Sequence, residues 1–193
     1  MRGFYDVDCR ELSPSGEWAF RPRVAPIAKR VEAVLALAER EAAPVVATTC
    51  GGGQMPKHDK DCLGMVRVPM APGELSWEGA LGPERLFHLE KPCGGWRTFE
   101  TNGNASRLFA GLGIREWVVF GNGLDLCVDH AVRNLLGLGL SVTFLSDLLV
   151  PSALGNGPFG DSGTPASRER TLMGWLELGA RETNLEALLK EAP

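Results

Sequence analysis

The stretch EWVVFGNGLDLCVDHAVRNLLGLGLSVTFLSD, residues 116–147, decides how this chain is read. Its first part, EWVVFG (116–121), is a compact apolar run rich in β-branched and aromatic residues, the pattern of a buried strand. From 125 to 138, Leu126, Val128, Ala131, Val132, Leu135 and Leu136 recur at helical spacing. That spacing predicts a helix with one buried side. LSVTFLSD (140–147) follows as a second strand. Strand, helix and strand, with both strands continuously apolar, predict a parallel sheet covered by helices on both faces. The fold class is therefore α/β, a three-layer sandwich with a mostly parallel central sheet.

The same alternation extends outward. Residues 3–7 form a short first strand, and 8–23, with Pro14, Gly16 and Pro22, read as a loop. A helix is predicted over 24–43 and a strand over PVVATT, 44–49. CGGGQMPKHDKDC (50–62) is excluded from regular structure by its three consecutive glycines. Residues 63–98, broken by Pro69, Pro72, Pro83 and Pro92, give no readable element. A short helix over 104–112 is capped near Thr101 or Asn102. A Gly- and Pro-rich loop covers 150–165, then come a helix (166–178), a short strand (180–182) and a last helix (184–191).

Composition sets the outer limits. The 193 residues suit one domain, 1–193. Hydrophobic residues are 44% and charged residues 23%, enough for a packed core. The net charge of −4 argues against a nucleic-acid partner, which needs a basic face. No apolar stretch is long enough to cross a membrane, and the charged start MRGFYDVDCREL does not read as a signal peptide. A cytoplasmic protein is expected. Cys9, Cys50, Cys62, Cys93 and Cys127 are an odd number, which fits reduced thiols better than a disulfide framework.

Parallel sheets bind ligands beyond the carboxyl ends of their strands. Cys127 lies there, after the turn GNGLDL and at the start of a helix. Unpaired N–H groups and the helix dipole at such a position favour the thiolate. The alternative is a buried structural cysteine. Asp6 and Asp8 end the first strand in FYDVDC, where a carboxylate can serve as a base or simply face solvent in a turn. Lys91, in FHLEKPCGGW, could hold a thiol and a carboxylate as anions, although most lysines are exposed. Trp96 and Phe99 are the best candidates among the aromatic residues for an apolar pocket wall. Arg10 and Arg97 could fork a substrate carboxylate, and for Arg10 a surface charge is preferred. His130, one turn beyond Cys127, reads as structural.

Taken together, FYDVDCREL and the run from KPCGGWRTFETNGNASRLFAGLGIREWVVFG to SVTFLSD resemble the isochorismatase-like cysteine hydrolase superfamily. That family includes nicotinamidases, N-carbamoylsarcosine amidases and ureidoacrylate-type amidohydrolases. The resemblance implies a catalytic triad of Cys127 as nucleophile, Asp6 as base and Lys91 as the cation beside both. It implies oxyanion donors at Gly123 and Cys127 and a cis peptide between Asn122 and Gly123. The implied reaction is hydrolysis of a small amide or related C–N bond through a thioester. Dimers or tetramers are implied as well. Vinyl ether hydrolysis and a non-catalytic or redox protein on the same fold are the alternatives. A nucleotide-binding domain is disfavoured, because the glycines at 51–53 and 121–123 form neither a GxGxxG nor a GK[ST] motif. The Asp-x-His metal pattern of nicotinamidases is absent from the loop after the second strand. Cys50, His58, Asp59, Asp61 and Cys62 mix soft and hard ligands but match no zinc spacing, so neither metal nor cofactor is expected.

Overall fold

β1 (Arg2–Leu12) is the centre of the molecule, an 11-residue strand flanked on both sides by parallel partners. In the computed structural model, which describes residues 1–12, 18–49, 65–71, 85–92, 97–153 and 160–191, it pairs with β3 (Val45–Thr49) and β6 (Glu116–Asn122). Outside β3 lie β5 (Leu86–Leu89) and then β4 (Val66–Val68). Outside β6 lie β7 (Ser141–Val150) and β8 (Arg181–Thr183). The sheet order is β4-β5-β3-β1-β6-β7-β8. β2 (Trp18–Phe20) returns antiparallel onto the end of β1.

Helices cover both faces, as the strand–helix alternation predicts. On one face α1 (Ala28–Arg40) buries Val31, Val34, Leu37 and Ala38, and α6 (Leu185–Glu191) adds Leu185 and Leu188. They pack with Phe4, Val118, Phe120 and Leu145 of the sheet. On the other face lie α3 (Ala105–Gly111), α4 (Asp129–Gly137) and α5 (Pro165–Glu177). There Tyr5, Val7, Val119 and Phe144 meet Leu108, Phe109, Ala131, Val132, Leu135 and Trp175. Phe109 joins this layer by ring contacts to Tyr5 at 5.1 Å and Trp117 at 4.7 Å between centroids. Alternate β1 residues thus serve opposite cores, as a strand buried on both faces requires.

Several expectations are corrected. Residues 8–12 continue β1 and 18–20 form β2, because Arg10, Glu11 and Leu12 pair with Phe20, Ala19 and Trp18. Residues 63–98 contain β4 and β5, and α2 (Thr98–Thr101) begins at their end, all elements too short to show a period. Asn104, not Thr101 or Asn102, is the cap position of α3. Asn102 instead supports the turn, donating to the carbonyls of Val68 and Glu90 and accepting from the Asn104 N–H. Among the described residues no helix is long and apolar enough to cross a membrane.

Candidate active site

β1 connects onward to one half of the sheet and β6 to the other, so the strand order reverses between them. Ligand sites in open α/β sheets gather beyond the carboxyl ends of strands at such a switch point. Asp8 lies in β1 just past the end of its parallel pairing with β6, Lys91 follows β5, and Cys127 follows β6.

The backbone at the end of β1 is shaped for this. Val7 pairs with Thr48 and Arg10 with Thr49, so Asp8 and Cys9 are bulged out of the ladder. Asp8 has φ of 56°, a left-handed conformation that costs a non-glycine residue about 1–3 kcal/mol. Bulge and twist together break the strict alternation of side chains and re-aim the carboxylate. It is fully buried and ion-paired with Lys91, whose Nζ also donates to Cys127 Sγ at 3.5 Å. Replacing a buried ion pair by apolar side chains is often neutral or stabilising. Stability alone therefore does not account for this one, which makes the pair a candidate functional site.

Lys91 pairs with Asp8, not with Asp6, the carboxylate expected beside it. Asp6 points to the other face, where it lines a groove with Leu35, Ala38 and Glu39 of α1. Arg10 approaches it at 3.6 Å and the Cys9 N–H donates to it at 3.3 Å. Burial pushes the Asp6 carboxyl up, against the opposing charge of Arg10. Arg10 also lies over the Phe20 ring at 4.8 Å, so it is held by the fold rather than free in solvent.

On the Cys127 side, Leu124–Val128 form a π-helical turn that leads into α4. Two glycines permit it. Gly121 has φ of 138°, and a Cβ there would lie 2.0 Å from the Val7 carbonyl oxygen. Gly123 is left-handed at φ 79°, and its Cβ would stand 3.4 Å from Cys127 Sγ. The Asn122–Gly123 peptide is trans, a second correction. Glycine accepts the left-handed turn without isomerising the bond. The Gly123 N–H donates to the Val150 carbonyl at 3.1 Å, so it is spent within the fold and is not an oxyanion donor here.

Tyr5 is a site neighbour that sequence reading passed over. Its hydroxyl is buried, and burial and then the charge of Asp8 push its ionisation up. Tyr5 lies beside Thr48 and Thr98, and Asp8 Oδ1 is buried without a hydrogen-bond partner among the described residues. The signal was available: a tyrosine two residues before Val7 on an alternating strand must face the same layer.

No family model matches the chain, and no curated protein matches it significantly. Solved structures do. A pyrazinamidase of Pyrococcus horikoshii in complex with zinc is 18% identical, with a TM-score of 0.62 over 95% of this chain and 98% of that one. A cysteine hydrolase of Pseudomonas syringae is 13% identical, with a TM-score of 0.66 over 98% and 91%. An N-carbamoylsarcosine amidase of Thermoplasma acidophilum is 17% identical, with a TM-score of 0.59 over 95% and 96%. An isochorismatase-family protein of Desulfovibrio vulgaris is 17% identical, with a TM-score of 0.62 over 98% of this chain and 96% of that one. The chain has the isochorismatase-like fold.

Within this isochorismatase-like frame the other candidates take their places. Phe99 is half-buried, stacked on Phe109 at 5.4 Å and edge-on to His130 at 6.3 Å, so it joins the core to α4. Burial lowers the His130 imidazole below its usual value, which suits a packed, neutral ring. Arg97 is exposed and pairs with Glu100 at 3.0 Å. Trp96, Cys93 and the group Cys50, His58, Asp59, Asp61 and Cys62 lie outside the described residues. Among the described residues no three His, Cys, Asp or Glu side chains stand together as metal ligands. His88, on β5, instead shares a hydrogen bond of 3.0 Å with Thr49 Oγ1.

Proposed function

We propose that the chain is a cysteine hydrolase that cleaves a small amide or related C–N bond, with Cys127 as nucleophile, Asp8 as base and Lys91 as the cation between them. One observation carries this reading. The Lys91 ammonium reaches Asp8 and Cys127 at once, with all three buried at the switch point of the sheet.

The chemistry follows from the groups. Asp8 takes the Cys127 thiol proton, and the ammonium beside Sγ favours the thiolate that this leaves. The thiolate attacks the carbonyl carbon, forming a C–S bond and placing the electron pair on oxygen. Collapse of that oxyanion breaks the C–N bond, and the departing amine takes the proton held by Asp8. A thioester remains. Asp8 then takes a proton from water, the hydroxide adds to the thioester, and the C–S bond breaks to release a carboxylic acid and restore the thiolate. Asp8 Oδ1 suits the base role because Oδ2 is engaged by Lys91 and Oδ1 is not engaged. The Cys127 N–H, in its π-helical turn, is the oxyanion donor of this proposal.

The fold neighbours named for amide substrates support the reaction class. The redox alternative is weaker for Cys9, which packs on the α1 face while Cys127 packs on the other. Burial also pushes the Cys9 thiol well up, away from its reactive form. Homo-oligomerisation remains a proposal, and a monomer mass by light scattering would remove it. The enzymatic reading is tested by turnover of a panel of small amides with wild type and Cys127→Ala, with mass spectrometry to detect an acyl adduct. Loss of turnover and adduct in the variant is expected. Undiminished turnover in Cys127→Ala would overturn it.

A further inference from the structure

We infer that Asp125 is a positioning residue for Cys127: its carboxylate fastens the nucleophile's turn to both ends of the segment between β7 and α5. The inference rests on the nucleophile role proposed above. Asp125 lies two residues before Cys127, inside the same π-helical turn. Its Oδ2 accepts from Ser167 Oγ at 2.6 Å and from the Gly163 N–H at 2.7 Å, and its Oδ1 accepts from the Ser152 N–H at 3.3 Å. Ser152 stands just after β7, whereas Gly163 and Ser167 flank the start of α5. One side chain therefore ties Ser152, Gly163 and Ser167 to the catalytic turn.

The arrangement is built rather than incidental. Thr164 caps α5, accepting from the Ser167 N–H at 3.1 Å, and Pro165 follows at the first helical position. The Asp125 anion thus sits against the N-terminus of a 13-residue helix, where the dipole favours it. One turn later Asp129 repeats the attachment, accepting from Trp175 Nε1 at 2.7 Å. The two aspartates dock α5 along the catalytic turn and α4. Burial pushes the Asp125 carboxyl up, but hydrogen bonds from Ser152 and Ser167 and then the Gly163 N–H outweigh it and hold the group below its usual range.

A π-helical turn is a rare departure from the α-helix, found mostly as a single turn at functional sites, and here Asp125 tethers it from outside. The Lys91–Sγ contact depends on where that turn holds Cys127. Misplacing a reacting atom by about 1 Å can cost about a hundredfold in rate. Among the described residues, Lys91 donates to Sγ, and Asp8 and Tyr5 stand close by. None of them bonds Asp125, so loss of the clamp acts on the thiol through geometry.

The test is the pH dependence of Cys127 alkylation by iodoacetamide, read by peptide mass spectrometry, so that no substrate is needed. Asp125→Ala should move the midpoint of the profile upward and slow alkylation at pH 7 about tenfold. Asp125→Asn, which keeps acceptor oxygen, should restore part of it. Ser167→Ala should show a smaller shift, and it reads the clamp from the α5 side should Asp125→Ala fail to fold. A profile unchanged in Ser167→Ala and Asp125→Asn while the melting temperature falls would mean a purely structural role and overturn the inference. A wild-type Cys127 without a low-pH limb would overturn the triad reading and the clamp with it.

Discussion

Asp6 and Asp8 stand two residues apart on β1, yet they serve opposite faces of the sheet. Strict alternation would send both to one side. The bulge after Val7 and the left-handed φ of Asp8 send only the second to Lys91. Mutagenesis should separate the two carboxylates cleanly. Asp8→Asn is expected to cut kcat by about 10²–10⁴-fold, the range of a lost general base. Asp6→Asn should keep kcat. It should also cost no stability at neutral pH, since a carboxyl that burial pushes up opposes folding when ionised. A loss in Asp6→Asn with kcat kept in Asp8→Asn would return the assignment to Asp6, and equal losses would overturn the separation of the two carboxylates.

The Lys91–Asp8 pair predicts a second pattern. Lys91→Met leaves a buried carboxylate without its cation, a change that costs about 3–5 kcal/mol. Urea denaturation should register that loss, and alkylation of Cys127 at pH 7 should slow. Adding Asp8→Asn should recover much of the stability, because the stranded charge is gone, while turnover stays absent. A double variant no more stable than Lys91→Met would show that the two side chains do not form one unit.

How much of this was legible in the sequence depends on length and period. β6, α4 and β7 are long and apolar enough to read directly, and Cys127 followed from its place after β6. Lys91 needed the family resemblance, since a lone lysine in an unreadable segment carries no signal. β4 and β5, with only 3 and 4 residues, are fixed by parallel pairing to a strand far away in sequence. Asp6 and Asp8 could not be told apart, because alternation gives no warning of a bulge. Asp125 was passed over for a similar reason: its partners Ser152, Gly163 and Ser167 lie beyond β7.

Among the described glycines, Gly121 leaves the least room for a side chain. Alanine there would set a Cβ 2.0 Å from the Val7 carbonyl oxygen at a φ of 138°. The overlap is with backbone, which cannot swing aside, so β1 and β6 must separate. Gly121→Ala is expected to destabilise by about 3 kcal/mol or more. Turnover should fall further than the folded fraction does, because the displaced segment carries Asp8 on one strand and leads to Cys127 on the other. A folded variant with normal kcat would contradict the close approach.

Acid stability reports on Asp125. Its carboxyl lies below the usual value in the folded chain, because the bonds from Ser152, Ser167 and Gly163 outweigh burial. A depressed folded value contributes stability that is present above the unfolded value, near 3.8, and is lost as pH falls through the folded one. Asp6 has the opposite sign, since its raised value makes the ionised form the costly one. Wild type should therefore lose part of its stability below about pH 4. Asp125→Asn, lacking the titrating group, should start lower at pH 7 and fall less steeply through that window. The difference between the two curves, measured by urea midpoints from pH 7 downward, isolates the clamp. Parallel curves would mean that Asp125 ionises alike in the folded and unfolded chain, and that its three hydrogen bonds do not hold the anion.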